Sequence, residues 1–195
     1  LIERTIRQLK DAGINDIFVV VGFMKEKYEY LIDKFGVALI VNPQYATKNN
    51  LHSVKYTLPY ISNTYIIPCD IYCRENPYSR YEPYSWYMVS DKADAESTVR
   101  VNRKMQLVPT DSQDGNYMFG ISYIAGSEAD VFKQNVAALC QNAINDNAFW
   151  EDALYQNGTF ITLANVVSSD SVIEINTYEQ LREIDENSNQ LKSDA

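Results

Sequence analysis

The 195-residue sequence has one histidine, three cysteines and fewer basic than acidic side chains, and each shortage narrows what the protein can do. The lone histidine, His52, lies in a segment with no nucleophile motif around it, which gives a Ser/His or Cys/His site no support. Cys69, Cys73 and Cys140 form no metal-ligand pattern, and their odd number does not suit a disulfide framework, so reduced thiols are expected. Cys69 and Cys73 have C-x-x-x-C spacing but no companion ligands. Seventeen Lys and Arg against twenty-six Asp and Glu leave a net charge of −9, which argues against the broad phosphate-binding surface that nucleic acid requires. No apolar run approaches the ~20 residues that span a bilayer, and no signal segment opens the chain. Membrane insertion is not expected, and a cytoplasmic location is. Internal repeats and low-complexity blocks are also missing.

What is present is ordinary globular composition, 46% hydrophobic and 22% charged, on a length that fits one domain. Leu1, Ile2, Ile6 and Leu9 recur at helical spacing up to a stop at Gly13. The run Ile17 to Val21, ended by Gly22, reads as a strand buried on both faces. A helix over KEKYEYLIDKFG and a strand over VALIVN follow, then a loop, a helical NLHSVKYTLPYI and the strand YIIPCD. This rhythm predicts an α/β fold, a Rossmann-like doubly wound mixed sheet, mostly parallel. Period two in SWYMVS, STVRVN and YMFGISYIAG predicts an antiparallel insertion. After it come a helix with Ser127 as N-cap, another over NAFWEDALYQNG, strands in FITLANV and VIEI, and a closing helix capped by Thr177. Residues 1–187 are expected to form the domain, and 188–195 a polar tail or linker.

The most informative single residue is Asp70. It ends the apolar YIIPCD, where a carboxylate either caps a turn or faces the crevice in which such sheets bind ligands. Asn49, Asn50 and Ser53 fall at a loop-to-helix entry, suited to ordinary capping or to a base edge or phosphate. Lys25 and Lys27 fit a solvated helix face or an approach to phosphate from the strand end at Gly22.

The stretch from LIERTIRQLKDAGINDIFVVVGFMKEKYEYL through GVALIVNPQYATKNNLHSV to YIIPCDIY resembles the bacterial CTP:phosphocholine cytidylyltransferases of the sugar-nucleotidyltransferase-like superfamily. The carriers are the NN-x-x-S of Asn49, Asn50 and Ser53, the VVGF containing Gly22, and Asp70, with looser matches in MFGISYI and FWEDAL. The resemblance implies transfer of CMP from CTP to phosphocholine, giving CDP-choline and pyrophosphate, with Mg2+ as cofactor. It makes Asp70 a catalytic metal ligand and draws a second carboxylate from FWED, either Glu151 or Asp152, of which Asp152 is taken as catalytic. Gly22, Asn49, Asn50 and Ser53 become substrate contacts. Choline's quaternary ammonium calls for aromatic faces beside carboxylates. The 15 tyrosines suit that, and Trp86 and Trp150 are expected at the acceptor, with Tyr84 and Tyr117 as further candidates.

The family's opening strand and glycine-rich basic loop have no counterpart here. The chain as given is therefore expected to bind CTP poorly and to be inactive alone, with a longer gene product and exposed strand edges beside the gap. The polar end resembles the junction to a choline-kinase-like domain in some relatives, and a homo-oligomer is the other partner considered. A sugar-1-phosphate nucleotidyltransferase and a non-catalytic binding module of the same fold are the competing readings.

Overall fold

The computed structural model describes residues 1–111, 113–155 and 160–184. The expected 188–195 tail lies outside them. Helix α1 (Ile2–Asp11) ends as predicted at Gly13, which has φ +82. Strand β1 (Phe18–Val21) pairs in parallel with β2 (Ala38–Val41) from Phe18 with Ala38 to Val21 with Val41. The segment between them is less regular than its sequence suggests. Met24 takes a left-handed φ of 50, so a 3-10 turn over Lys25–Tyr28 precedes a short α2 (Tyr30–Phe35), closed by Gly36 at φ +68. The expectation of a doubly buried β1 also fails. Only Val21 is buried, because the β1–β2 ladder is hydrogen-bonded to no other described strand.

The main sheet has the order β3 (Thr64–Ile66), β8 (Gly115–Ile124), β5 (Trp86–Asp94), β9 (Leu163–Val167). β8 runs antiparallel to both neighbours and β5 runs parallel to β9, so three of its four strands share one direction. That is the mixed, mostly parallel sheet read from the sequence. Of the three segments read as an antiparallel insertion, SWYMVS and YMFGISYIAG instead form the inner strands β5 and β8, and only STVRVN leaves the main sheet, as β6 (Val99–Val101) paired antiparallel with β7 (Leu107–Pro109). Outside the sheet, β4 (Ile71–Cys73) pairs antiparallel with β10 (Val172–Glu174).

Side chains alternate across the main sheet, as a pleated strand requires. On one face Tyr87, Val89 and Ile124 pack with α3 (Asn50–Lys55), α4 (Ala129–Cys140) and a 3-10 turn over Trp150–Leu154. On the other, Trp86, Met88, Phe119, Ile121 and Tyr123 pack with Leu9 of α1 and with Ile71, Cys73 and Val172 of the β4–β10 ladder. Two local readings change. The FWED segment is this 3-10 turn, not an α-helix, and the N-cap of α4 is Glu128, with no side-chain capping bond, in place of Ser127. The closing helix over 178–184 is capped as expected. Thr177 Oγ1 accepts from Gln180 N at 3.2 Å, and Gln180 Oε1 accepts from Thr177 N at 3.0 Å. None of the described helices is long and apolar enough to cross a membrane.

Candidate active site

Strand β3 stops at Ile66, and Pro68 then turns the chain out of the ladder. Asp70 therefore sits on the turn between β3 and β4 instead of at the tip of a central strand, and β3 itself is the edge of its sheet. The turn is held from β10, where Ile175 N donates to Asp70 O at 2.9 Å. This places Asp70 beside Glu174. Its half-buried carboxylate has no ion pair among the described residues.

Tyr117 of β8 collects the charges of this region. Its hydroxyl donates to Glu174 Oε2, and its ring meets Phe119 edge-on at 5.2 Å. Burial first, then the bond to Glu174 and the nearby Asp94 and Asp70 carboxylates, pushes its phenol well above the ordinary range. Asp94, Tyr117, Phe119 and Glu174 also line a cleft of about 450 Å³, with Lys92 on the same wall. None of Asp94, Phe119 and Glu174 stood out in the sequence. They come from three strands far apart in the chain: β5–β8 pairing brings Asp94 to β8, and packing of the β4–β10 ladder on the main sheet brings Glu174 to Tyr117.

The FWED segment is anchored on the opposite face of the sheet. Asn50 Oδ1 accepts from Trp150 N at 2.9 Å, and the buried Asn135 Nδ2 donates to Ala153 O at 2.9 Å. Glu151 Oε1 accepts from the Tyr87 hydroxyl at 3.1 Å, while its Oε2 is buried without a hydrogen-bond partner among the described residues. Burial pushes the Glu151 carboxyl up to about 7, against the lowering effect of the Tyr87 bond. Asp152 is exposed. The charges that act on Tyr117 are those of Asp70, Asp94 and Glu174, whereas Glu151 interacts with Tyr87, Tyr155 and Asp152.

The remaining expected contacts are occupied within the fold. Asn49 caps α3, accepting from Asn50 N at 2.7 Å, and its Nδ2 donates to Asn147 O at 3.1 Å. Ser53 Oγ accepts from Asn42 Nδ2 at 3.0 Å. Gly22 follows β1 under Tyr45, where an added Cβ would lie 2.5 Å from the Tyr45 Cβ and Cγ, so the residue answers to packing. Trp86 and Trp150 are 4% and 3% exposed. Trp86 lies against Tyr65 at 5.8 Å, and Trp150 between Tyr87 at 5.9 Å and Phe132 at 6.1 Å. Both are core residues and not the open faces that a choline cage needs. Tyr84 is 51% exposed. His52 is fully buried, with its basicity lowered by burial, and packs 3.5 Å from Asp146. Cys69 is exposed and Cys73 buried, its thiol pushed up to about 11 by burial.

Mg2+ takes oxygen ligands, commonly one or two carboxylates, with substrate phosphates and water completing the shell. Among the described residues no group of three or more His, Cys, Asp and Glu side chains converges as a metal cluster. The carboxylate of Asp70, half-buried with no cation of its own, fits the smaller role of a single protein ligand that shares the ion with phosphates.

No protein-family model matches the chain. The choline-phosphate cytidylyltransferase of Streptococcus pneumoniae is 28% identical over 191 residues, spanning 95% of this chain and 83% of that protein. A 2-aminoethylphosphonate cytidylyltransferase of Lancefieldella rimae is 23% identical over 201 residues, spanning 95% and 79%. Among solved structures, the CTP:phosphocholine cytidylyltransferase LicC of S. pneumoniae superposes with a TM-score of 0.84 at 25% identity, covering 95% of this chain and 83% of that one. The similarity to bacterial CTP:phosphocholine cytidylyltransferases runs along nearly the whole chain, in sequence and in fold.

Proposed function

We propose that the protein transfers CMP from CTP to phosphocholine. A phosphate oxygen of phosphocholine forms a bond to the α-phosphorus of CTP, the bond to the β-phosphate bridging oxygen breaks, and CDP-choline and pyrophosphate leave. The carrying observation is Asp70, an acid held on the β3–β4 turn by β10 with no counter-ion among the described residues. No nucleophilic side chain is required, because such chemistry rests on in-line positioning and charge neutralisation. Mg2+ would be held by Asp70 and the substrate phosphates, with a carboxylate of the FWED segment as the proposed second protein ligand, and would supply that neutralisation. Asp152, being exposed, is the freer of the two FWED acids, since Glu151 already accepts from Tyr87.

With Trp86 and Trp150 in the core, the cationic head group falls to the cleft beside Asp70. The partly exposed Tyr117 offers a ring there, and Asp94 and Glu174 offer carboxylates, the chemistry that suits a quaternary ammonium. Asn49, Asn50 and Ser53 support the nucleotide side by fixing the backbone of α3 and of the FWED turn. A second reading keeps the reaction and changes the acceptor to 2-aminoethylphosphonate, which the L. rimae relative's name supports. Its primary ammonium would engage the same carboxylates by hydrogen bonds.

Pyrophosphate release by the full-length protein tests both readings with CTP and each acceptor in turn, sugar 1-phosphates serving as controls. Phosphocholine is the expected substrate. Asp70→Asn is expected to lower turnover by on the order of 100-fold with an unchanged melting curve. Turnover only with sugar 1-phosphates, or an Asp70→Asn variant as active as the parent, defeats the proposal.

A further inference from the structure

We infer that Tyr87 is a positioning residue of the transfer site, whose single hydroxyl ties the backbone under the Asp70 turn to the carboxylate of the FWED segment. The inference rests on the reading of Asp70 as part of that site.

The β5–β8 ladder breaks register beside Tyr87. Tyr87 pairs with Ser122, but Val89 pairs with Met118, so Met88 alone stands opposite Phe119, Gly120 and Ile121. Chain is added to β8 here, and Gly120 absorbs it with φ +76. A bulge of this kind turns an amide out of the ladder, and a buried amide without an acceptor is costly. The Tyr87 hydroxyl takes that role, accepting from Gly120 N at 2.8 Å in a buried bond.

The bulge has a consequence on the other side. It presses the Gly120 backbone against Pro68, so closely that an added Cβ would lie 2.5 Å from Pro68 Cγ. Pro68 starts the turn that carries Asp70 two residues later. The same Tyr87 hydroxyl donates to Glu151 Oε1 at 3.1 Å, and its ring lies 5.9 Å from that of Trp150. Both capacities of one oxygen are thus used, one on each chemistry-bearing segment.

An apolar ring would fill this position equally well if packing were the whole requirement. Tyr87 is 0% exposed in the middle of a hydrophobic cluster, where phenylalanine would carry no desolvation cost. The hydroxyl is accounted for by the two segments it joins. Burial, with Glu151 and Tyr155 nearby, holds its proton well above the ordinary range, so it remains a donor to Glu151.

Tyr87→Phe keeps the ring and deletes the link. Turnover with CTP and phosphocholine is expected to fall about tenfold, with KM for both substrates within about twofold of the parent, because the reacting groups are misplaced while binding surfaces persist. Hydrogen exchange without substrate is expected to lose protection at Gly120 N–H and keep it at Val89. A core variant remote from the link, Val136→Ala, is expected to lower the melting temperature without this split between kcat and KM. Gly120→Ala, which leaves the hydroxyl in place and forces a methyl onto Pro68, should reproduce the kcat loss, and it decides the question if Tyr87→Phe does not fold. Unchanged kcat in the folded variant, or unchanged exchange at Gly120, overturns the inference. Exchange reports on the link even if the parent does not turn over CTP, so a wrong function and a wrong link give different results.

Discussion

Glu151 shows how burial decides a single residue's behaviour. Its carboxyl moves from the ordinary 4.5 to about 7, chiefly through burial. Between those values the folded chain keeps a proton that the unfolded chain has released, so stability falls as pH rises through this window and levels off above pH 7. Discounted for its partial exposure, the loss is about 2 kcal/mol. Glu151→Gln cannot titrate, so urea unfolding at pH 5, 6, 7 and 8 without added divalent cation should show the variant gaining on the parent as pH rises; parallel curves would remove the assigned burial effect. The same contrast explains which site residues were legible. Asp70 stood out because a charge ended an apolar run, a local signal. Asp94 and Glu174 gave none, since each lies on a polar position of an ordinary strand and acquires its neighbours only by pairing register. Trp86 and Trp150 misled for a related reason: neither strand alternation at Trp86 nor the acids next to Trp150 in sequence tell that the ring is covered.

At the scale of elements, the short α3 acts as a clamp. It places Asn49 against the 143–147 turn and Asn50 against the backbone of Trp150, so two adjacent amides fix the FWED segment from nearly a hundred residues away. Asn50→Ala leaves the Trp150 N–H without that acceptor and should cost about 1–2 kcal/mol. Trp150 should also move from its buried site, visible as a red shift in tryptophan fluorescence; an unshifted spectrum with stability within about 0.5 kcal/mol of the parent contradicts the clamp. This long-range use of an NN-x-x-S motif could not be read locally, where capping and ligand contact looked alike. Elements with strong local signals were legible: α1 and its glycine stop, the parallel β1 and β2, and the Thr177 cap. Failures cluster where short-range geometry competes with periodicity, as in KEKYEYLIDKFG, which divides at Glu29 into a 3-10 turn and the short α2, and in FWED, where the segment tightens into a 3-10 turn.

The whole molecule is built from cores of unequal size. Among the described residues, the α3–α4 face of the main sheet buries sixteen apolar side chains and the α1–β4–β10 face eleven, while the cluster joining α1, α2 and the β1–β2 ladder buries Ile6, Leu31 and Val37. That ladder has no hydrogen bond to the main sheet, and Phe18 and Val41 are 38% and 44% exposed despite lying on apolar strands. Burial contributes roughly 25 cal/mol per Å² of apolar surface, so the smallest cluster supplies far less stabilisation than either face of the main sheet. Cooperative units open according to such local stability. Hydrogen exchange should therefore find the amides of Val19, Val20, Leu39 and Ile40 exchanging through partial opening, well before those of Tyr87, Val89 and Ile121, which should wait for global unfolding. Added denaturant should then raise the second group's rates steeply and the first group's only weakly. Equal protection and equal denaturant dependence in both groups would mean that the β1–β2 ladder is coupled to the main sheet through α1 strongly enough to unfold with it.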